Sequence, residues 1–225
     1  IEWSDKRPAL YDNPIRYISS DYVASLEVSI SGICVDSIME LDAGVNGTAR
    51  LKVLCDAASH ALRLGVGRLI IPLLERASVR NLHSDSDAID DLTCFTRAAS
   101  ADGLVVSFET DLDVERLREF MGTMGHDARV TFDTGNLARL GYNLSDHLDE
   151  FWDVIDNIHV KDCKLGGATV RLGTGDADLR NMMMRSREGL PMLERMTLQT
   201  ARDATMTEQE LFTANVRYLE ELICS

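Results

Sequence analysis

Short apolar runs rich in β-branched residues alternate along this chain with longer segments whose apolar residues recur every three or four positions. The clearest runs cover residues 68–74, 104–108, 128–132 and 157–160. The first pattern is typical of buried β-strands and the second of amphipathic helices. When strands alternate with helices, each helix carries the chain back so that the next strand runs parallel to the last. The sequence therefore predicts an α/β protein with a parallel sheet.

Seven strands are predicted when the runs at 1–3, 26–35 and 195–198 are added to these four. A (β/α)8 TIM barrel has eight βα units in about 250 residues, and seven units of that size fit the 225 residues of this chain. We therefore expect residues 1–225 to form one TIM-barrel domain that lacks its first βα unit. A doubly wound open sheet is the second possibility, but no strand is followed by the glycine-rich turn that binds dinucleotide phosphates.

The chain is strongly acidic, with 23 Lys and Arg against 37 Asp and Glu and a formal net charge of −14. A protein that binds nucleic acid needs a basic surface to displace the counterions of the phosphates, and anionic membrane surfaces also repel this charge. The five cysteines are scattered and form no C-x-x-C pair, which is typical of reduced thiols in a cytoplasmic protein. We expect a cytoplasmic protein whose partners are neither nucleic acid nor a membrane.

Four of the predicted strands end at a side chain able to coordinate a metal ion, namely Glu109, Asp133, His159 and Gln199. The first three are about one βα repeat apart, so a parallel barrel brings them to the same rim. Each of the four follows an apolar residue. Because successive side chains of a strand point to opposite faces, the apolar neighbours face the helices and the polar residues face the barrel interior. Two carboxylates, an imidazole and an amide oxygen favour one divalent ion: Mn²⁺, Mg²⁺ or Co²⁺, with Zn²⁺ also accepted.

The segment FDTGNLARLGYNLSDHLDEFWDVIDNIHVKDCKLGGATVRLGTGDADL resembles the sugar phosphate isomerase/epimerase family, the xylose-isomerase-like TIM barrels. The elements IEW, PLLE and LQTARD extend the resemblance over nearly the whole chain. The resemblance implies a TIM barrel with one divalent metal held by Glu, Asp, His and Glu from successive strands. The matching positions here are Glu109, Asp133, His159 and, in the last place, Gln199. Likeness to the family also makes a homodimer through the outer helices an expectation.

The resemblance further implies a metal-dependent isomerase or epimerase of a sugar, a sugar phosphate or a small hydroxy-keto compound. Glu109 is the expected base that removes a proton next to a carbonyl, giving an enediolate that the cation stabilises. Lys161 is the second expected catalytic residue, since it shares the inward face with His159. Gln199 departs from the family, because an amide cannot accept a proton as the second ligand glutamate does. A single-base reaction and a second base elsewhere both remain open.

Substrate binding is expected to involve residues beside the four metal-binding positions. These are Trp3, Glu75, Lys161, Asp162 and Arg202. Arg202 is suited to pair with a phosphate or carboxylate group. Asp36, Glu75 and Asp162 are the candidates for a second base.

Two other functions are compatible with the sequence. Endonuclease-IV-like phosphodiesterases share the superfamily, but their zinc cluster needs several more His and carboxylate ligands, and the charge of −14 opposes approach to DNA. A barrel without catalytic activity would account for Gln199 and for the missing first unit. One metal ion per chain favours the isomerase, three favour the phosphodiesterase, and none favours the inactive barrel.

Overall fold

The computed structural model of this protein describes residues 1, 3, 14–41, 47–189, 196–199 and 205–224. Contacts divide the chain into two compact units, Ile1–Arg129 and Val130–Ser225. Within the described residues, no helix has the length and apolar character needed to cross a membrane. Arg202, predicted to bind substrate, lies outside the described residues. The expectation of one domain over residues 1–225 stays a prediction.

The first unit is built on three parallel strands: β1 (Ile33–Cys34), β2 (Arg68–Leu73) and β3 (Val105–Thr110). Its helices are α1 (Ser20–Ala24), α2 (Gly47–Leu64), α3 (Ser86–Ala101) and α4 (Val114–Met124), with short 3-10 helices at Pro14–Tyr17, Asp36–Glu40 and Glu75–Ala77. The ring of Phe108 on β3 packs edge-on against Phe120 of α4, with centroids 5.4 Å apart. This contact fixes which face of β3 is turned to the helices, and therefore places Glu109 on the opposite face.

The second unit has the same βα order. Its strands are β4 (Ala128–Asp133), β5 (Ile155–Val160), β6 (Asp162–Cys163), β7 (Thr169–Val170) and β8 (Met196–Leu198). The pairs β4–β5 and β5–β8 are parallel, and β6 and β7 form a short antiparallel pair. Its helices are α5 (Thr134–Leu140), α6 (Leu144–Phe151), α7 (Leu179–Gly189) and α8 (Glu208–Cys224), with a 3-10 helix at Trp152–Val154.

Helix α4 shows how local sequence sets the elements of this fold. Asp113 precedes the helix in an extended conformation, and its side chain accepts from the backbone N–H of Arg116 at 2.9 Å. Gly125 follows the helix with φ +80°, a conformation that glycine adopts without strain. The apolar spacing over residues 114–124 predicts a helix there, and the structure confirms both of its ends.

The predicted strand over residues 26–35 is wrong for most of its length, because only Ile33–Cys34 form a strand. Val28 is 72 % exposed, so the alternating apolar residues of this segment do not build a buried face. The predicted strand at residues 1–3 has partial support. Trp3 donates its backbone N–H to Cys34 at 2.6 Å, and Cys34 donates to Ile1 at 2.8 Å. Residue 2 lies outside the part that the structure describes.

Candidate functional site

Asp133 and His159 lie side by side at the ends of β4 and β5. They are register partners across the parallel pair, and only 3 % and 2 % of them are exposed. Phe132, the neighbour of Asp133, packs on the helix side against Phe151 of α6, with ring centroids 6.3 Å apart. Asp133 and His159 therefore share the other face of the sheet, as the sequence predicts for inward-facing residues.

Lys161 makes an ion pair with Asp133. Its Nζ lies 3.1 Å from Oδ2 of Asp133, and the lysine side chain keeps 20 % of its surface exposed. The other carboxylate oxygen of Asp133, Oδ1, accepts from the backbone N–H of Asn136 at 2.8 Å and so caps α5. The carboxylate is held by the Lys161 ammonium on one oxygen and by a backbone N–H at the start of α5 on the other.

Thr134 and Gly135 fix the backbone on which Lys161 sits. Oγ1 of Thr134 donates to the carbonyl of Lys161 at 2.6 Å and accepts from its N–H at 3.0 Å. A Cβ at Gly135 would lie 2.7 Å from Cγ of Lys161 and 3.2 Å from Oδ1 of Asp133. Only glycine leaves room for the lysine stem against the start of α5, so the D-T-G sequence is explained by packing around the ion pair.

Gln199 contacts the imidazole of His159. Nε2 of Gln199 lies 3.0 Å from Nδ1 of His159, at the point where β8 ends beside β5. Gln199 and His159 therefore lie next to each other in this unit, as the sequence predicts. The side chain of Gln199 is half-buried.

Glu109 occupies the corresponding place in the first unit. It is the penultimate residue of β3, is opposite Pro72 of β2 in register, and is 5 % exposed. Ser107, two residues earlier on the same face, has no exposed surface. A carboxylate buried to this degree needs a charged or hydrogen-bonding partner.

Asp162 organises the glycine-rich connection that follows β5. Its Oδ2 accepts from the backbone N–H groups of Gly173 and Gly175 at 2.9 and 2.8 Å, and its Oδ1 accepts from Ala177 at 3.0 Å. The residue is 1 % exposed, and a Cβ at Gly175 would lie 2.0 Å from Oδ1. These contacts give Asp162 a structural task, and the predicted contact with substrate stays a prediction.

Trp3 and Glu75 differ sharply in their surroundings. Trp3 has no exposed surface, and its ring lies 5.0 Å from that of His60 and beneath the guanidinium of Arg16. Glu75 is exposed and is the one non-glycine residue with positive φ, +54°, in the part of the chain that the structure describes. Such backbone strain directly after a strand occurs most often at functional positions. Substrate binding by either residue stays a prediction.

Two polar residues near Asp133 and His159 were missed by the sequence analysis. Thr134 holds Lys161, and Asn157 lies buried two residues before His159 on β5. The alternation that places His159 inward also places Asn157 inward. That signal was present in the sequence.

The structure closely matches solved structures of one fold class. A crystal structure of the IOLI protein with a bound zinc atom aligns over 99 % of this chain and 86 % of that chain, with TM-score 0.76 and 15 % identity. A xylose isomerase-like TIM barrel protein from Mycobacterium smegmatis in complex with magnesium aligns over 90 % of this chain and 76 % of that chain, with TM-score 0.67 and 16 % identity. The chain therefore has the xylose-isomerase-like TIM-barrel fold, as the sequence predicts.

Among curated proteins, the chain is similar to a 2-epi-5-epi-valiolone 7-phosphate 2-epimerase from Actinoplanes sp. The two are 31 % identical over 136 residues, which are 58 % of this chain and 50 % of the relative. The match thus spans half the length of that enzyme. No family model matches the chain. The resemblance to sugar phosphate isomerases and epimerases seen in the sequence motifs is confirmed by these comparisons.

Proposed function

We propose that this protein is a divalent-metal-dependent isomerase or epimerase of a sugar, a sugar phosphate or a small hydroxy-keto compound. One observation carries the proposal: Asp133 and His159, register partners at the ends of β4 and β5, are both buried and lie on the same face of the sheet. Glu109, buried at the corresponding place on β3, is the proposed third ligand. The similarity to a relative named 2-epi-5-epi-valiolone 7-phosphate 2-epimerase supports the reaction class.

The donor set fits a divalent cation. Two carboxylates and one imidazole, each at most 5 % exposed, provide oxygen and nitrogen ligands. A buried carboxylate needs a compensating positive charge, and a divalent cation provides one. Oxygen-rich sets with one imidazole suit Mn²⁺, Mg²⁺, Co²⁺ or Zn²⁺. The zinc and magnesium named for two similar structures support a metal here.

When bound, a cation of this kind polarises the carbonyl and neighbouring hydroxyl oxygens of a substrate as a Lewis acid. Glu109 supplies the carboxylate that takes the proton from the carbon next to that carbonyl. Lys161 is held beside Asp133, and its side chain is 20 % exposed. It can therefore donate a hydrogen bond to a substrate oxygen and keep the reacting carbon in place.

Gln199 decides which ring nitrogen of His159 is available to an ion. A neutral imidazole that binds a metal through one nitrogen donates through the N–H of the other. The Gln199 amide lies at Nδ1 of His159, and it can present either its oxygen or its nitrogen there, because the two orientations have nearly the same shape. With its oxygen turned to Nδ1–H, the amide leaves the Nε2 lone pair free. We assign this orienting role to Gln199 as the alternative to the predicted role of fourth ligand.

The test is exchange of a carbon-bound proton with D₂O in protein supplied with Mn²⁺. The first candidate is 2-epi-5-epi-valiolone 7-phosphate, followed by ketoses, their phosphates and small hydroxy-keto acids. We expect deuterium at the carbon next to the carbonyl of one candidate, loss of exchange with EDTA, and recovery when Mn²⁺ is restored. Absence of deuterium from every candidate, in protein that binds Mn²⁺, would contradict the proposed reaction.

A further inference from the structure

Asn157 carries a buried hydrogen-bonding group that the protein does not satisfy. Its Oδ1 accepts from Oγ1 of Thr197 at 3.2 Å, and the residue is 4 % exposed. Its Nδ2 is buried and has no hydrogen-bond partner among the residues that the structure describes. Buried N–H groups are almost always paired with protein or ordered water, because an unpaired one loses the hydrogen bond it makes in water.

Reversing the amide does not remove the problem. With oxygen and nitrogen exchanged, the Asn157 nitrogen would donate to the Thr197 hydroxyl, and the amide oxygen would become the buried atom without a partner. A threonine hydroxyl both donates and accepts. In either orientation, therefore, one end of the amide is hydrogen-bonded to Thr197 and the other end has no partner among the described residues. The unsatisfied position is a property of the site and does not depend on how the amide is oriented.

This position lies directly beneath the candidate metal ligands of the second unit. Asn157 precedes His159 by two residues on β5, and Thr197 of β8 precedes Gln199, the residue directly after β8, by two. Both steps keep the side chain on the same face and move it roughly 7 Å along the strand. The pair of Asn157 and Thr197 therefore repeats the pair of His159 and Gln199 one level deeper, that is, nearer the amino-terminal ends of the strands, where Asn157 is buried and Thr197 is exposed.

We propose that Asn157 binds an uncharged oxygen atom at this deeper level. The oxygen is that of a water molecule in the substrate-free protein, or of a substrate hydroxyl that replaces it. A neutral amide and a hydroxyl provide no positive charge to hold an anion. Asp133, two residues beyond Thr131, the register partner of Asn157, adds a buried negative charge that repels one. The inference rests on the amide alone and goes beyond the proposed reaction.

The first experiment detects the bound oxygen in the complete chain. In ¹⁵N-labelled protein, a buried water gives a rotating-frame Overhauser cross-peak to the Asn157 side-chain NH₂, with a sign distinct from chemical exchange. We expect this cross-peak in the substrate-free protein. In a second arm, with 2-epi-5-epi-valiolone 7-phosphate added, a retained water peak identifies water as the occupant. Replacement by peaks from the compound identifies a hydroxyl, and both results support the site. No cross-peak in either arm would overturn the proposal.

The second experiment uses Asn157→Leu, which keeps the size of the side chain and removes its polar atoms. If the amide holds an oxygen ligand, this variant loses a satisfied hydrogen bond and its Tm falls. If the amide is an unpaired polar group in an empty space, the apolar replacement removes the free-energy cost of burying that group. The Tm then rises, which contradicts the proposal. Thr197→Val is the matched control, because it measures the cost of losing the Asn157–Thr197 hydrogen bond alone.

Discussion

Glu109 combines two tasks in the proposed reaction, that of metal ligand and that of base. Glu109→Gln keeps the size and oxygen of the side chain but removes its ability to accept a proton. Because general bases contribute about 10²–10⁴-fold to such reactions, we expect deuterium exchange into the substrate to fall by at least that factor. The measurement is the exchange rate by NMR, with the Tm showing that the variant is folded.

A matched control for this variant is Glu115→Gln, which makes the same chemical change at an exposed position in the first turn of α4. We expect its exchange rate to equal that of the unaltered protein. Full activity of Glu109→Gln would remove Glu109 from the mechanism, while leaving open which other carboxylate acts as base.

Gln199 is the residue at which this chain departs from the family it resembles, and its proposed role is to orient His159. Loss of a group that orients a metal-binding histidine typically lowers metal affinity about 10–100-fold. We expect Gln199→Leu to weaken Mn²⁺ binding by that factor in calorimetric titrations. We expect Gln199→Glu to retain affinity, because its carboxylate also accepts from Nδ1–H.

The ring nitrogens of His159 distinguish orientation from direct ligation by Gln199. In Zn²⁺-loaded protein, long-range ¹H–¹⁵N correlation spectra should show the proton of His159 on Nδ1, and Gln199→Leu should alter that signal. Unchanged spectra and unchanged affinity in Gln199→Leu would contradict the orienting role.

At the residue scale, the sequence predicted which side chains meet but not how they pair, because hydrogen-bond partners of Lys161 and Gln199 depend on side-chain conformation.

Thr207 followed by Glu210 three residues later predicts a capping box, and helix α8 begins with one in the structure. Oε2 of Glu210 accepts from the backbone N–H of Thr207 at 2.9 Å, and Oγ1 of Thr207 accepts from the N–H of Glu210 at 3.2 Å. The backbone hydrogen bond from Thr207, and then its side-chain hydrogen bond, lower the pKa of Glu210 below its ordinary value of 4.5. A folded-state pKa below the unfolded value stabilises the protein above the unfolded pKa, and that stabilisation is lost as pH falls through the folded pKa.

We therefore expect the unaltered protein to lose more stability than Glu210→Gln when the pH falls from above the ordinary pKa of 4.5 to below the folded pKa. Urea denaturation across that range measures the difference. Glu221→Gln, near the exposed end of the same helix, is the control. Its pH dependence should match that of the unaltered protein. An equal acid response in both variants would show that the capping carboxylate does not contribute.

The elements that the sequence predicts well are those fixed by local signals. Helices α4 and α8 have side-chain caps at their starts, and the strands β2 to β5 are short apolar runs between such helices. Helix α5 was missed although Asp133 caps it and Gly141 ends it with φ +73°. Its seven residues are too few to show helical periodicity. The short pairing of β6 with β7 and the contacts of the Asp162 carboxylate with Gly173, Gly175 and Ala177 join residues across the glycine-rich connection, and no local pattern encodes them.

At the scale of the whole molecule, net charge and fold together exclude more of the possible functions than either does alone. The xylose-isomerase-like fold is shared by proteins with different metals and substrates, so the fold by itself does not identify a reaction. The net charge of −14 makes a polyanionic substrate such as DNA unfavourable. A small substrate is compatible with that charge, because Lys161 and the proposed metal ion would supply positive charge locally. Net charge and fold together therefore disfavour a nucleic-acid substrate.

The number of bound metal ions tests this interpretation for the molecule as a whole. The proposed site has one set of buried donors, Glu109, Asp133 and His159. We therefore expect one Mn²⁺ per chain by elemental analysis. Ligand at a hundredfold excess over Kd stabilises the folded state by about 2.7 kcal/mol. For a chain of this size that corresponds to a rise in Tm of about 5–11 °C.

Removal of the ion by EDTA should reverse this rise, and Asp133→Asn should abolish it while keeping the cap of α5, since an asparagine oxygen also accepts from Asn136. Asp146→Asn, at an exposed position in the first turn of α6, should leave the rise unchanged. Three ions per chain would favour the phosphodiesterase alternative. If Mn²⁺ neither binds nor shifts the Tm, the three donors do not form a metal site, and the enediolate chemistry proposed for Glu109 loses the cation it requires.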